Sequence, residues 1–147
     1  VSKANFAFWD SSALVPLCAV QATTNAVERL AERYSVVVWW GTSVELQSAF
    51  ARLHRSAKLN EGDKELAIEA ARLLSRRWEE ILPSDELREI ASSLLYSYPL
   101  RAADGLQLAA AMIWCRQKPT GRNFISSDAR LCEAASQAGF FVNRVTA

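Results

Sequence analysis

Four acidic residues have the type and placement to do chemistry in this chain: Asp10, Glu45, Asp104 and Asp128. Each follows an apolar stretch, or lies near the return from one, and each sits where a helix should begin. Carboxylates gathered at the C-terminal ends of parallel strands can hold Mg²⁺ or Mn²⁺, and such a cation can activate water against a phosphodiester. Taken singly, each acid has a plainer explanation. Glu45 lies three residues after Thr42, the spacing of a capping box. Asp10, Asp104 and Asp128 precede helical runs, where Asp caps free N–H groups and meets the positive end of the helix dipole. The set is harder to explain by capping alone. Asp10, Glu45 and Asp128 each follow an expected strand, and Asp104 opens the helix that leads into the last of those strands. A helix of about 14 residues descends about 21 Å along a sheet, and the next strand climbs back. All four acids are therefore expected near one edge. Like charges sharing a site resist joint ionisation, and a divalent cation removes that conflict.

The elements that must deliver these acids are legible from the apolar pattern. Phe6 to Trp9 is an all-apolar run that reads as a strand buried on both faces. Short and longer helices are expected over Ala13 to Val20 and Thr24 to Tyr34, then a β-branched and aromatic strand over Val36 to Trp40. Leu46, Phe50, Leu53 and Ala57 mark the buried stripe of a helix from Ser43 to Leu59. Asn60 to Asp63 reads as a turn and N-cap before one long helix, Lys64 to Leu82. Pro83-Ser84 starts another, Asp85 to Tyr98, and Ala103 to Gln117 is Ala-rich and helical. A strand at Asn123 to Ser126, a helix at Ala129 to Ala138 capped by Gly139, and a strand at Phe140 to Val145 complete the chain. Trp39 and Trp40, on opposite faces of a strand, are expected in the core. The alternation predicts an α/β sandwich of three layers, with a mainly parallel sheet of four to five strands and helices on both faces.

Bulk properties narrow the function classes. A length of 147 residues suits one domain, and the 50% hydrophobic, 22% charged composition is ordinary for a globular protein. A net charge of +1 means that any nucleic-acid binding must come from a local basic patch. No apolar run approaches the roughly 20 residues of a membrane span and no signal peptide is visible, so a cytoplasmic protein without a membrane role is expected. Cys18, Cys115 and Cys132 are widely separated and read as reduced core thiols rather than a zinc site or a disulfide framework. The lone His54 sits among Arg52, Arg55 and Lys58, with nothing nearby to build a Ser-His-Asp or Cys-His engine.

The acids fall in four segments whose order and content carry a resemblance. They are Phe6-Ala7-Phe8-Trp9-Asp10-Ser11-Ser12-Ala13-Leu14-Val15, Thr42-Ser43-Val44-Glu45-Leu46, Arg101-Ala102-Ala103-Asp104-Gly105-Leu106-Gln107-Leu108, and Asn123-Phe124-Ile125-Ser126-Ser127-Asp128-Ala129-Arg130-Leu131. In these segments, and in length and layout, the chain resembles the PIN-domain ribonucleases, in particular the VapC-type toxins of prokaryotic toxin–antitoxin pairs. The resemblance spans nearly the whole chain, so residues 1–147 are expected to form one PIN-like domain. Two departures are mild: Ser126 stands where the family often has Thr, and Gln107 where His is frequent. Neither removes a carboxylate.

The resemblance implies a Mg²⁺- or Mn²⁺-dependent endoribonuclease acting on tRNA or rRNA, with Asp10, Glu45, Asp104 and Asp128 holding one or two ions. It also implies a homodimer and a cognate antitoxin whose C-terminal segment lies across the active-site groove. Ser126, and more weakly Ser12, are candidates to contact phosphate or to support the acids; helix capping is the plainer reading of both. Arg52, two turns past Glu45, together with Arg55, Lys58 and Arg101, could contact RNA phosphates, which position a substrate without reading its sequence. The plainer reading of these four is a solvated helix face. A catalytically inactive PIN-like module that binds protein or RNA is the alternative. Phosphatase and receiver-type α/β domains also use acids at strand ends. The haloacid-dehalogenase type wants a second Asp at position 12, where this chain has Ser. The receiver type wants an early acid cluster and a Lys near the last strands, and neither is well placed.

Overall fold

The computed structural model describes residues 5–147. Five strands form one sheet: β1 (Phe6–Trp9), β2 (Ser35–Trp39), β3 (Glu79–Ile81), β4 (Asn123–Ser126) and β5 (Phe141–Arg144). Seven helices connect them: α1 (Ser11–Cys18), α2 (Thr24–Arg33), α3 (Thr42–Arg55), α4 (Glu61–Ser75), α5 (Asp85–Ser97), α6 (Ala102–Trp114) and α7 (Ala129–Ala138). The sheet order is β3-β2-β1-β4-β5 and every pairing is parallel. The expected α/β architecture is the one observed.

Strand alternation divides the interior into two cores. Ala7 and Trp9 of β1, Val38 of β2 and Ile125 of β4 pack on one face with α1 to α4. Phe8, Val37, Trp39 and Phe124 pack on the other with α5 to α7. β1, at the centre, is covered on both faces, which is why its sequence is an unbroken apolar run. Phe124 stacks on Phe8 at 5.6 Å between ring centroids and meets Phe140 at 5.5 Å, joining β4, β1 and the entry to β5.

Several expectations are corrected. The long helix over Lys64 to Leu82 ends at Ser75, and the chain turns at Arg76 and Arg77 into β3. The strand was hidden because Leu74, Trp78 and Ile81 keep a helical spacing and Glu79-Glu80 has no strand-like composition. β3 is a three-residue edge, and its exposed acids oppose further pairing along that edge. The second correction concerns Trp40. Trp39 is buried, but β2 ends there, and Trp40 is 53% exposed with its ring edge-on to Trp39. The Ala103 to Gln117 helix also stops early, at Trp114, and the helix from Ser43 at Arg55. The Gly139 cap is present at φ 116°, a conformation that favours glycine.

The chain leaves β1 towards β2 and β3, then returns to place β4 on the other side of β1. The order reverses between β1 and β4, and the crevice beyond the C-terminal ends of such strands is where open α/β sheets bind ligands. Since Phe124 ties these two strands together, Phe124→Ala is expected to cost about 3–5 kcal/mol of stability. Chemical denaturation measures it; a loss under about 1 kcal/mol would show that the aromatic stack does not hold the crevice together.

Candidate functional site

Asp10 is the first residue beyond β1, and its backbone N–H donates to the Ile125 carbonyl of β4 at 2.9 Å. It occupies the N-cap position of α1, yet its side chain caps nothing. Instead the carboxylate is almost fully buried, and its Oδ2 accepts from the hydroxyls of Ser12, at 2.5 Å, and Ser126, at 2.8 Å. Those hydroxyls are oriented in turn: the Ser127 N–H donates to Ser12 Oγ and the Asp128 N–H to Ser126 Oγ, both at 3.0 Å. Two backbone donors at the β4–α7 junction thus aim two hydroxyls at the acid ending β1. Ser126 is fully buried, and its hydroxyl donates to Asp10 and accepts from the Asp128 N–H.

Glu45 lies in the first turn of α3. The capping-box geometry is not adopted: Gly41 is the N-cap, Thr42 is already helical, and no side chain caps the helix. Glu45 reaches across the site, and its Oε2 accepts from Ser11 Oγ at 2.6 Å and Gln107 Nε2 at 2.9 Å. Gln107, buried on α6, also approaches Thr42 Oγ1 at 3.3 Å, while its own Oε1 has no partner. An unpaired buried carbonyl costs about 1–3 kcal/mol. Flipping the amide would not help, because it would set that carbonyl against the Glu45 carboxylate. Asp128 does cap α7, its Oδ1 accepting from the Leu131 N–H at 2.8 Å. Asp104 stands in the first turn of α6, half-buried, and does not cap the helix.

The four acids act on one another through charge. Burial, above all, raises the Asp10 pKa from its ordinary 3.8; the hydroxyls of Ser12 and Ser126 pull it down, and the charges of Glu45 and Asp128 push it up. Asp104 is also raised, first by burial and then by Asp128 and Asp10, with the Arg101 N–H and guanidinium opposing. None of the ion pairs among the described residues involves these acids. Nor do three or more of the described His, Cys, Asp and Glu residues close into a ready-made metal-holding group. The oxygens suit a hard cation in kind. On Asp10, Glu45 and Asp128 the short hydrogen bonds fall on one oxygen of each carboxylate.

Basic side chains fall in two clefts beside the acids. Arg52 and Lys58 share one with Ser12, and Arg52 also donates to Ser48 Oγ at 3.0 Å. Arg101 shares the other with Asp104, Asp128 and Arg130. Arg55 is exposed but lines neither. His54 is partly exposed between the Leu59 carbonyl and Glu61, and all three cysteines are free. Sequence reasoning passed over Ser11, Arg130 and the bond from Gln107 to Glu45. A signal for Gln107 existed: it lies one helical turn past Asp104 in an otherwise apolar run.

No family model matches the sequence, and no curated protein matches it in sequence. Solved structures do match in fold. A chain of VapBC2 from Rickettsia felis, solved with a promoter DNA fragment, superposes with a TM-score of 0.65 at 13% identity, covering 96% of this chain and 99% of that one. The chain has the PIN-like fold of such toxin–antitoxin structures. The FitAcB structure from Neisseria gonorrhoeae gives 0.63 at 19% identity over 92% and 97% of the two chains. A toxin–antitoxin complex from Klebsiella pneumoniae gives 0.61 at 16% identity over 84% and 88%. The PIN-like fold thus provides the sheet edge on which the carboxylates stand.

Burial of Asp10 in that edge has a pH signature. Its proton is held more tightly in the folded than in the unfolded chain, so the folded state loses stability as pH rises from about 4 through the raised value. In EDTA at pH 7.5, Asp10→Asn should melt above the wild type, because it places no charge at that buried position. The difference should shrink towards pH 4. A difference that stays constant across that range would mean Asp10 is not buried as a reluctant charge.

Proposed function

We propose that this protein is a Mg²⁺- or Mn²⁺-dependent endoribonuclease, the toxin of a VapBC-type toxin–antitoxin pair. The observation that carries the reading is the pairing of the acids beyond the strand ends: Ser11 Oγ lies 2.6 Å from Glu45 and 3.5 Å from Asp10, and Asp104 and Asp128 line one cleft. Likeness in fold to chains of VapBC2 and FitAcB supports the toxin assignment. The RNA assignment rests on the resemblance of the four acidic segments to PIN-domain ribonucleases. A protein antitoxin is the partner, and the chain acts as a homodimer. No described helix is long and apolar enough to cross a membrane.

The four acids would hold one or two cations. Bound there, a divalent cation supplies Lewis acidity that lowers the pKa of water and stabilises charge on the phosphodiester. The protein's own part is positional. Ser12 and Ser126 fix Asp10, Ser11 and Gln107 fix Glu45, and the start of α7 fixes Asp128. Arg101 and Arg130 in one cleft, and Arg52 and Lys58 in the other, supply phosphate contacts on both sides of the acids.

Total RNA and purified tRNA, incubated with the protein in Mg²⁺, Mn²⁺ or EDTA, test the reading. Discrete cuts are expected with either metal and none with EDTA. Loss of a supporting contact to a metal ligand typically costs 10–100-fold, so losing a ligand in Asp10→Asn or Asp104→Asn should cost more than about a hundredfold. Cleavage that survives in both variants would end the assignment. Absence of cleavage by folded, antitoxin-free protein would favour a binding-only module.

The arginines should behave differently. Arg101→Ala and Arg130→Ala are expected to raise KM several-fold with little change in kcat. Each should also reduce the salt dependence of RNA binding by about one phosphate contact. An unchanged salt slope in both variants would remove that cleft from the substrate path.

A further inference from the structure

Gln107 is almost completely buried on α6, and its amide is committed to a residue of the candidate site. Nε2 donates to Glu45 Oε2 at 2.9 Å, and Ser11 Oγ donates to the same oxygen at 2.6 Å. Glu45 Oε1 takes neither bond. A carboxylate with one oxygen held by two donors cannot swing freely. Asp10 shows the same division: Oδ2 takes the short bonds from Ser12 and Ser126, and Oδ1 has only a 3.5 Å approach from Ser11.

We propose that Gln107 is a positioning residue. With Ser11, it locks Oε2 of Glu45, which leaves Oε1 of the same carboxylate as the oxygen that would ligate a divalent cation. The proposal rests on the metal-dependent reading above. Contacts of this kind hold a ligand's rotamer and tune its basicity, and losing one typically weakens metal binding by about 10–100-fold. Thr42 Oγ1, at the longer 3.3 Å, accepts from the same Gln107 Nε2 that donates to Glu45.

The test is Mn²⁺ binding by calorimetry and by electron paramagnetic resonance, with no RNA present, alongside Tm in EDTA. Gln107→Met keeps the length of the side chain and removes the donor. The expected result is a Kd for Mn²⁺ weakened by about tenfold with Tm in EDTA little changed. Ser11→Ala, at a half-exposed position, should weaken Mn²⁺ in the same direction and answers the question if Gln107→Met does not fold. Thr42→Val should leave Mn²⁺ affinity within about twofold, since the bond from Gln107 to Glu45 survives. If the wild type binds Mn²⁺ and both Gln107→Met and Ser11→Ala bind it equally well, the positioning role is wrong while the metal reading stands. An equal loss in Thr42→Val would assign Gln107 to packing. If the wild type binds no Mn²⁺, both readings fall together.

Discussion

A carboxylate at the end of the central strand, nearly out of reach of water, sets the terms for everything around it. Asp10 is charged only at a cost, because burial removes its hydration and Glu45 and Asp128 add like charge. The protein offsets part of that cost with two hydroxyls, and it orients those hydroxyls with two backbone N–H groups. The donors come from β1–α1 and β4–α7, so the acid can be satisfied only when those junctions are side by side. The backbone bond from Asp10 to Ile125 and the stacking of Phe8 on Phe124 hold them there.

The same logic extends outward with diminishing burial. Glu45 is half-buried and held by one hydroxyl and one amide. Asp128 spends one oxygen on the N-terminus of α7, where the helix dipole also favours its charge. Asp104 keeps the fewest restraints and faces the cleft shared with Arg101 and Arg130. The result is a gradient from a rigid floor at Asp10 to an accessible rim at Asp104, with positive charge at the mouth. The proposed cleavage would use such an arrangement: acids held in place, and a mouth that attracts phosphate.

Much of this was legible in the sequence. The buried central strand, the strand through Trp39, the Gly139 cap and the placement of the four acids at element starts all follow from local pattern. Capping was the weaker guide for the acids: of the four, only Asp128 caps a helix, while Asp10 and Glu45 turn to tertiary partners. β3 was missed because an edge strand needs little apolar surface, so its Glu79 and Glu80 look like the continuation of a helix. Trp40 was placed in the core because strand alternation was carried one residue past the end of β2.

The sequence by itself determined which elements form and which residues stand at their ends, because hydrophobic period and turn chemistry are local. It could bring the acids to one sheet edge, but it could not say which oxygen of each would be held. That was decided by contacts between residues 34, 62 and 116 positions apart: Ser11 with Glu45, Gln107 with Glu45, and Ser126 with Asp10. Such bonds depend on the order β2-β1-β4 and on the packing of α6 against the sheet. A polar side chain in an apolar run becomes part of a site only when the folded chain sets a carboxylate opposite it.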